Sequence, residues 1–344
     1  MVLRWVFILS SYFYFTQTIF AQQPVELGDV QWLRQFEQAQ QVSANTGKSI
    51  FILFQEVPGC STCQRYGQQV LQHPLIVEAI ETYFVPLAIY NNKRGADAKV
   101  LKRYKEPAWN NPVVRIVNAQ GQNIIERVSG NYTPLRVVQA INQAIDLSGT
   151  VQPEWLRLLE QELQANLLGT ETADFAMYCF WTGEKQLGQI DGVVETQAGF
   201  MGGREVVEVT YDPSVVSFDE LLGVAQQHQC ASQVFTTTAE QQATATAELG
   251  SQKVQSRRNF RADHQPKYFL QHSSLKYVPM TGLQASRVNA ALGARVAFAK
   301  YLSPRQLQIA QYIQQHPTMK WESAIDTPLE KHWGERWEVV SRER

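Results

Sequence analysis

Residues 49–63 read SIFILFQEVPGCSTC, and this stretch decides the fold of the first half of the chain. Ser49 to Phe54 is a continuous apolar run of strand length, closed by Val57-Pro58-Gly59, the pattern of a strand buried on both faces. Cys60 and Cys63 follow at once, and helical periodicity continues from Cys63 to Val70. Upstream, Trp32, Leu33, Phe36 and Ala39 give Gln31 to Ala44 a helical spacing, with Gly47 placed as its C-terminal cap. Downstream, Phe84 to Ile89 reads as a strand and Asp97 to Tyr104 as a short helix. Pro112 opens a strand over Val113 to Val117, Gln120-Gly121 turns the chain, and Ile124 to Val128 returns as a hairpin partner. Leu135 to Ile145 closes this α/β unit as an amphipathic helix.

Two cysteines separated by two residues at a helix start can close a disulfide with little backbone movement. The helix dipole and the unpaired N–H groups at that end favour a thiolate, which makes Cys60 the nucleophile and Cys63 its resolving partner. A plain stapling disulfide is the alternative. Structural zinc needs four ligands, and neither a second Cys-x-x-Cys nor a His-x-x-x-His lies near, only the lone His73, so no metal is expected. The element order, the pair directly after the buried strand and Asn111-Pro112 before the next core strand together resemble the thioredoxin family over roughly residues 28–147. Val57-Pro58-Gly59 before Cys60 resembles one branch of it and departs from the usual tryptophan there, which bears on partner choice. The resemblance implies a thioredoxin-like fold and a cis bond at Pro112, whose backbone would hold an incoming chain beside the sulfurs.

A length of 344 residues accommodates two domains of ordinary size. Net charge is −1 with the two signs interspersed, which excludes the basic face of a nucleic-acid binder. Residues 1–21 carry one charge, Arg4, before an apolar run from Trp5 to Phe20 and a small residue at Ala21. Ser10, Ser11, Thr16, Gln17 and Thr18 interrupt that run, so it fits a cleaved signal peptide better than a membrane span. The expectation is export to the periplasm or another extracytoplasmic space, with an uncleaved anchor as the alternative. Only four cysteines are present, Cys60, Cys63, Cys179 and Cys230, which favours redox work over stapling. Residues 22–148 are then the first domain, 149–171 a linker with a helix at Glu154 to Leu168, and 172–344 a second domain with a helical C-terminal extension.

In the second half, Phe175 to Tyr178 reads as a short strand leading into a helix headed by Cys179. Val193 to Phe200 and Glu205 to Tyr211 read as paired strands about Met201-Gly202-Gly203. Ser217 and Glu220 form a capping box, Ala239 to Leu249 is helical, and another helix follows Pro304. Cys179 again stands at a helix start, beside two rings, Phe180 and Trp181, suited to a methyl group on a polarisable sulfur. Taken alone, Cys-Phe-Trp is as readily core as catalytic, and Glu205 as readily an exposed strand carboxylate. Tyr178-Cys179-Phe180-Trp181, Gln197-Ala198-Gly199-Phe200-Met201-Gly202-Gly203, Glu205-Val206-Val207, Val209-Thr210-Tyr211-Asp212-Pro213 and Ala262-Asp263-His264-Gln265 together resemble the peptide methionine sulfoxide reductases of the A type, over roughly residues 172–285. The resemblance implies a ferredoxin-like α/β domain in which Cys179 attacks the sulfoxide sulfur, Phe180 and Trp181 cradle the S-methyl group, and Glu205 supplies a proton to the oxygen.

Three departures stand out. Phe200 replaces the family's tyrosine, Tyr178 replaces the glycine before the nucleophile, and the Asn-Asp-x-Gly-Thr-Gln-Tyr block is absent where the chain runs from Gln229-Cys230 into Val234-Phe235. The substrate-binding set is therefore Phe180, Trp181, Phe200 and, for the first domain, Pro112. Attack on a sulfoxide leaves a sulfenic acid that a second thiol must condense with, and Cys230 is the candidate; a buried structural thiol is the alternative. The leading expectation is an exported reductase of the S epimer of methionine sulfoxide in peptides or proteins. Cys60/Cys63 would recycle it, fed by an external thiol donor, with the membrane at most a source of electrons. No nicotinamide or flavin fingerprint occurs, so no cofactor is expected. Rival expectations are a thiol-disulfide oxidoreductase whose second domain only binds clients, and a peroxide sensor acting through Cys179.

Overall fold

The computed structural model describes residues 23–343; the expected signal segment, residues 1–21, lies outside them. β1 (Ser49–Gln55) is the middle strand of a three-stranded sheet, parallel to β2 (Phe84–Tyr90) and antiparallel to β3 (Val113–Val117). Its run is apolar throughout because both faces are covered. Phe51 and Leu53 enter the core formed with α2 (Ser61–Gln69), α3 (Pro74–Tyr83) and α5 (Pro134–Leu147). Ile50, Ile52 and Phe54 enter a second core, beneath α1 (Phe36–Thr46) and α4 (Ala96–Tyr104).

Three sequence expectations change here. The first helix begins at Phe36 rather than Gln31, because Leu33 bridges to Leu87 and exchanges main-chain hydrogen bonds with Pro86 and Ala88 at the sheet edge. Gly47 does cap α1, at φ 72°, a conformation glycine adopts without a Cβ penalty. Helix α3 was not foreseen; Pro74 starts it and Leu75, Ile76, Ala79 and Ile80 are buried. Ile124 to Val128 returns through isolated bridges, Val117–Asn123 and Val114–Val128, and not as a continuous strand.

The second sheet has six strands in the order β8-β7-β4-β6-β5-β9. Its members are β4 (Glu171–Ala176), β5 (Val193–Met201), β6 (Arg204–Tyr211), β7 (Gln233–Thr236), β8 (Val254–Ser256) and β9 (Arg261–Ala262). All neighbours are antiparallel except β7 and β8. The strand expected over 175–178 ends at Ala176, whose carbonyl accepts from the N–H and hydroxyl of Ser232, and the chain leaves the sheet at Met177. One face packs on α7 (Phe180–Leu187), α8 (Phe218–Gln227) and α9 (Ala239–Leu249). Ser217 and Glu220 form the expected capping box at the start of α8.

The segment between the sheets is not a free tether. In α6 (Glu154–Leu168), Trp155, Leu156 and Leu159 belong to the core of the first sheet, while the same helix lies against β5 and α11 (Gly282–Ala294). After the short α10 (Tyr268–Gln271) and α11, α12 (Pro304–Gln315) and α13 (Leu329–Arg342) return to the first sheet, where Leu329 and Trp333 complete its core. A polar clasp joins the halves at the start of α12: the buried Glu78 carboxylate accepts from Ser303 Oγ at 2.6 Å and Arg305 N at 2.7 Å. Among the described residues, no helix is long and apolar enough to cross a membrane.

Candidate functional site

Two thiol sites stand at helix N-termini, one in each half. Cys60 is the N-cap of α2 and is exposed, whereas Cys63 lies in the first turn and is buried. Both thiols are free, with their sulfurs 3.6 Å apart. The backbone N–H of Cys63 stabilises the Cys60 thiolate and holds the Cys60 thiol below its ordinary value. Burial, reinforced by the bond to Cys60, pushes Cys63 up to about 12. The Cys63 thiol donates to Asn111 Oδ1 at 2.6 Å, a contact the sequence reading missed although Asn111 immediately precedes Pro112. The Asn111–Pro112 bond is cis, and so is Val57–Pro58.

Below the pair, Gln55 donates from Nε2 to the carbonyls of Glu26 and Cys63, and Gly59 N–H donates to the Glu26 carboxylate at 2.7 Å. Glu56, Cys60 and Cys63 bring one potential ligand atom each within 4.8 Å of one another. A closed zinc site uses four ligands, so this set does not complete one. The asymmetry of the two thiols makes a direct prediction: iodoacetamide at about pH 8 alkylates Cys60 in the reduced protein and spares Cys63, because only a thiolate reacts. Peptide mass mapping reads the outcome.

Cys179 is the half-buried N-cap of α7, and the next residue's N–H donates to the carboxylate of Glu205 at 3.0 Å. Glu205 reaches this position from β6, where it pairs directly with Phe200 on β5. The Phe180 ring meets Trp181 at 5.5 Å and Phe200 edge-on at 5.4 Å, so the three predicted aromatic residues do assemble beside Cys179. Tyr268 adds a fourth ring, stacked on Trp181 at 4.0 Å. Tyr178 is 97% exposed and takes part in none of these ring pairs.

Cys230 is buried just before β7, 51 residues beyond Cys179 in the sequence. The β4–β7 ladder ends at Ala176 opposite Gln233, so Cys179 and Cys230 both follow from the same end of that strand pair, three residues beyond it on each chain segment. Burial pushes the Cys230 thiol up, and the neighbouring Cys179 sulfur adds to the rise. The structure thus brings Cys179, Glu205, Phe180, Trp181, Phe200 and Cys230 into one site, while Cys60, Cys63 and Pro112 form the other.

The thioredoxin-like family model matches residues 31–119. The chain is 37% identical over 73 residues to a peptide methionine sulfoxide reductase MsrA of Methanococcus maripaludis, covering 16% of this chain and 46% of that protein. With the Escherichia coli MsrA it shares 34% identity over 113 residues, 24% of this chain and 53% of the relative. The chain spans about half the length of the curated relatives it matches. Among solved structures, a DsbH oxidoreductase is similar at 16% identity and a TM-score of 0.31, covering 38% of this chain and 94% of that one. The chain joins a thioredoxin-like domain to a second domain homologous, over part of its length, to the A-type peptide methionine sulfoxide reductases.

Proposed function

We propose that this protein is an exported thiol oxidoreductase that reduces the S epimer of methionine sulfoxide in peptides or proteins. The carrying observation is the convergence of Cys179, the Glu205 carboxylate and the Phe180–Trp181 rings at the start of α7. The rings take the S-methyl group, the Cys179 sulfur bonds to the sulfoxide sulfur, and Glu205 gives a proton to the departing oxygen. The new sulfur–sulfur bond then breaks as the protonated oxygen passes to the Cys179 sulfur, so methionine leaves and Cys179 is left as a sulfenic acid. The Cys230 thiol condenses with it, releasing water and forming a Cys179–Cys230 disulfide. Cys60 thiolate then attacks that disulfide, Cys63 resolves the mixed species, and an external dithiol reduces the resulting Cys60–Cys63 bond.

The test is turnover of a peptide carrying methionine S-sulfoxide by the reduced full chain and by Cys179→Ser and Cys230→Ser. The expected results are no turnover without Cys179, and a single turnover that stalls without Cys230. Turnover independent of Cys179, or none with either epimer, overturns the reading. Mass mapping after one oxidation cycle in the absence of reductant should find the Cys179–Cys230 bridge.

A further inference from the structure

The reductase reading leaves the sulfoxide oxygen short of a hydrogen-bond donor, since Phe200 stands where a hydroxyl is expected. The structure supplies one from a strand at the sheet edge. Arg261 on β9 pairs directly with Phe200 on β5, which pairs directly with Glu205 on β6. Residues directly opposite across a ladder point to the same face. Arg261, Phe200 and Glu205 thus form one row across three strands, on the face where Glu205 meets the first turn of α7.

The Arg261 guanidinium lies 4.6 Å from the centre of the Phe200 ring. Phe200 in turn abuts Phe180, so the cation sits on the outer wall of the aromatic pocket beside Cys179. Stacking occupies the π face and consumes none of the five guanidinium N–H donors. Arg261 is exposed, and no carboxylate pairs with it among the described residues. This contrasts with Arg257 a few residues earlier, which is committed to Asp174 at 2.9 Å and to Glu208.

We propose that Arg261, held flat on Phe200, donates a hydrogen bond to the sulfoxide oxygen of the substrate and polarises the sulfur–oxygen bond for attack by Cys179. It acts as a catalytic donor in place of the missing hydroxyl, while Glu205 remains the source of the proton. This inference rests on the reductase reading above.

The experiment compares the full chain with Arg261→Ala, Arg261→Lys and the double variant Arg261→Ala/Phe200→Tyr, using one peptide sulfoxide. Melting temperature and the alkylation rate of Cys179 are measured alongside. Arg261→Ala should lower kcat by about 10- to 100-fold, the range of a hydrogen bond to a polar or charged group, with both controls unchanged. Arg261→Lys should recover part of the loss, and Phe200→Tyr in the Ala background should recover more by restoring a hydroxyl at the pocket. An unchanged kcat in Arg261→Ala overturns the inference and leaves the reductase reading standing. A rise in KM alone overturns it too, because Arg261 then only recruits the peptide. If the unsubstituted chain reduces neither epimer, the reductase reading fails first and this inference falls with it.

Discussion

Glu205→Gln lowers the turnover of methionine sulfoxide by about 10²- to 10⁴-fold, the usual contribution of a positioned proton donor. The amide keeps the size of the carboxyl, and its oxygen still accepts the 3.0 Å bond from Phe180 N–H, so the start of α7 should hold its shape. What the amide lacks is an exchangeable acidic proton. The departing oxygen must then take its proton from water, in a pocket walled by Phe180, Trp181 and Phe200. Steady-state kcat at saturating peptide checks the prediction, with the melting temperature as control. An equal loss in melting temperature would make Glu205 a structural cap of α7 instead. Glu205→Ala separates the two effects further, since it removes both the proton and the acceptor.

At about pH 5, Glu78→Ala destabilises the folded chain by about 3 kcal/mol, because it strands the buried Ser303 hydroxyl and the Arg305 N–H at the start of α12. The Arg305–Glu81 ion pair alongside survives the change. The same carboxyl makes stability depend on pH. Burial raises Glu78 from 4.5 to about 7, partly opposed by the bonds from Ser303 and Arg305 N–H. A carboxyl whose folded value exceeds its unfolded one binds its proton more tightly when folded. Its contribution is fully present below about pH 4.5 and is lost as the pH rises through 7, to a limit of about 3 kcal/mol. Glu162, Asp174 and Glu184 are likewise raised to about 7, chiefly by burial, and share this window. Wild-type stability should therefore fall between about pH 5 and 8, and Glu78→Gln should flatten the slope by one group's share. Urea denaturation at a series of pH values reads both slopes; parallel slopes would show that Glu78 keeps the same proton affinity in the two states.

The clasp also changes how the two thiol sites relate. With Glu78 tied to α12 and Trp155, Leu156 and Leu159 of α6 packed in the first core, the halves are joined by an interface and not by a swinging tether. Electron delivery from Cys60/Cys63 to the second site must work within that arrangement or pass between copies of the chain.

Much of this organisation was legible in the amino-acid sequence. The apolar run 49–54 required a strand covered on both sides, and the alternation of its side chains between two cores shows why no polar residue interrupts it. Cys60 and Cys179 at helix starts, the Ser217–Glu220 capping box and Gly47 at a helix end depend on neighbours a few residues away, and local patterns encode such features well. The helix expected from Gln31 failed for the opposite reason. Trp32 and Leu33 carry a helical spacing, but the edge of β2 captures Leu33's backbone, and no local pattern reports an edge formed fifty residues later.

For the cysteine chemistry the division is the same. The sequence by itself determined that Cys60 and Cys63 share one helix turn, since their spacing leaves no other geometry for a helix that begins there. It could not determine that Cys230 lies near Cys179, that Asn111 binds Cys63, or that Arg261 lies on Phe200. Those pairings are set by how the chain crosses between elements and, for Arg261 on Phe200, by the ladder between β5 and β9, which join residues separated by tens of positions. Register is chosen by the burial of whole faces, and a shift of one residue in β9 would turn Arg261 to the other side of the sheet from Phe200.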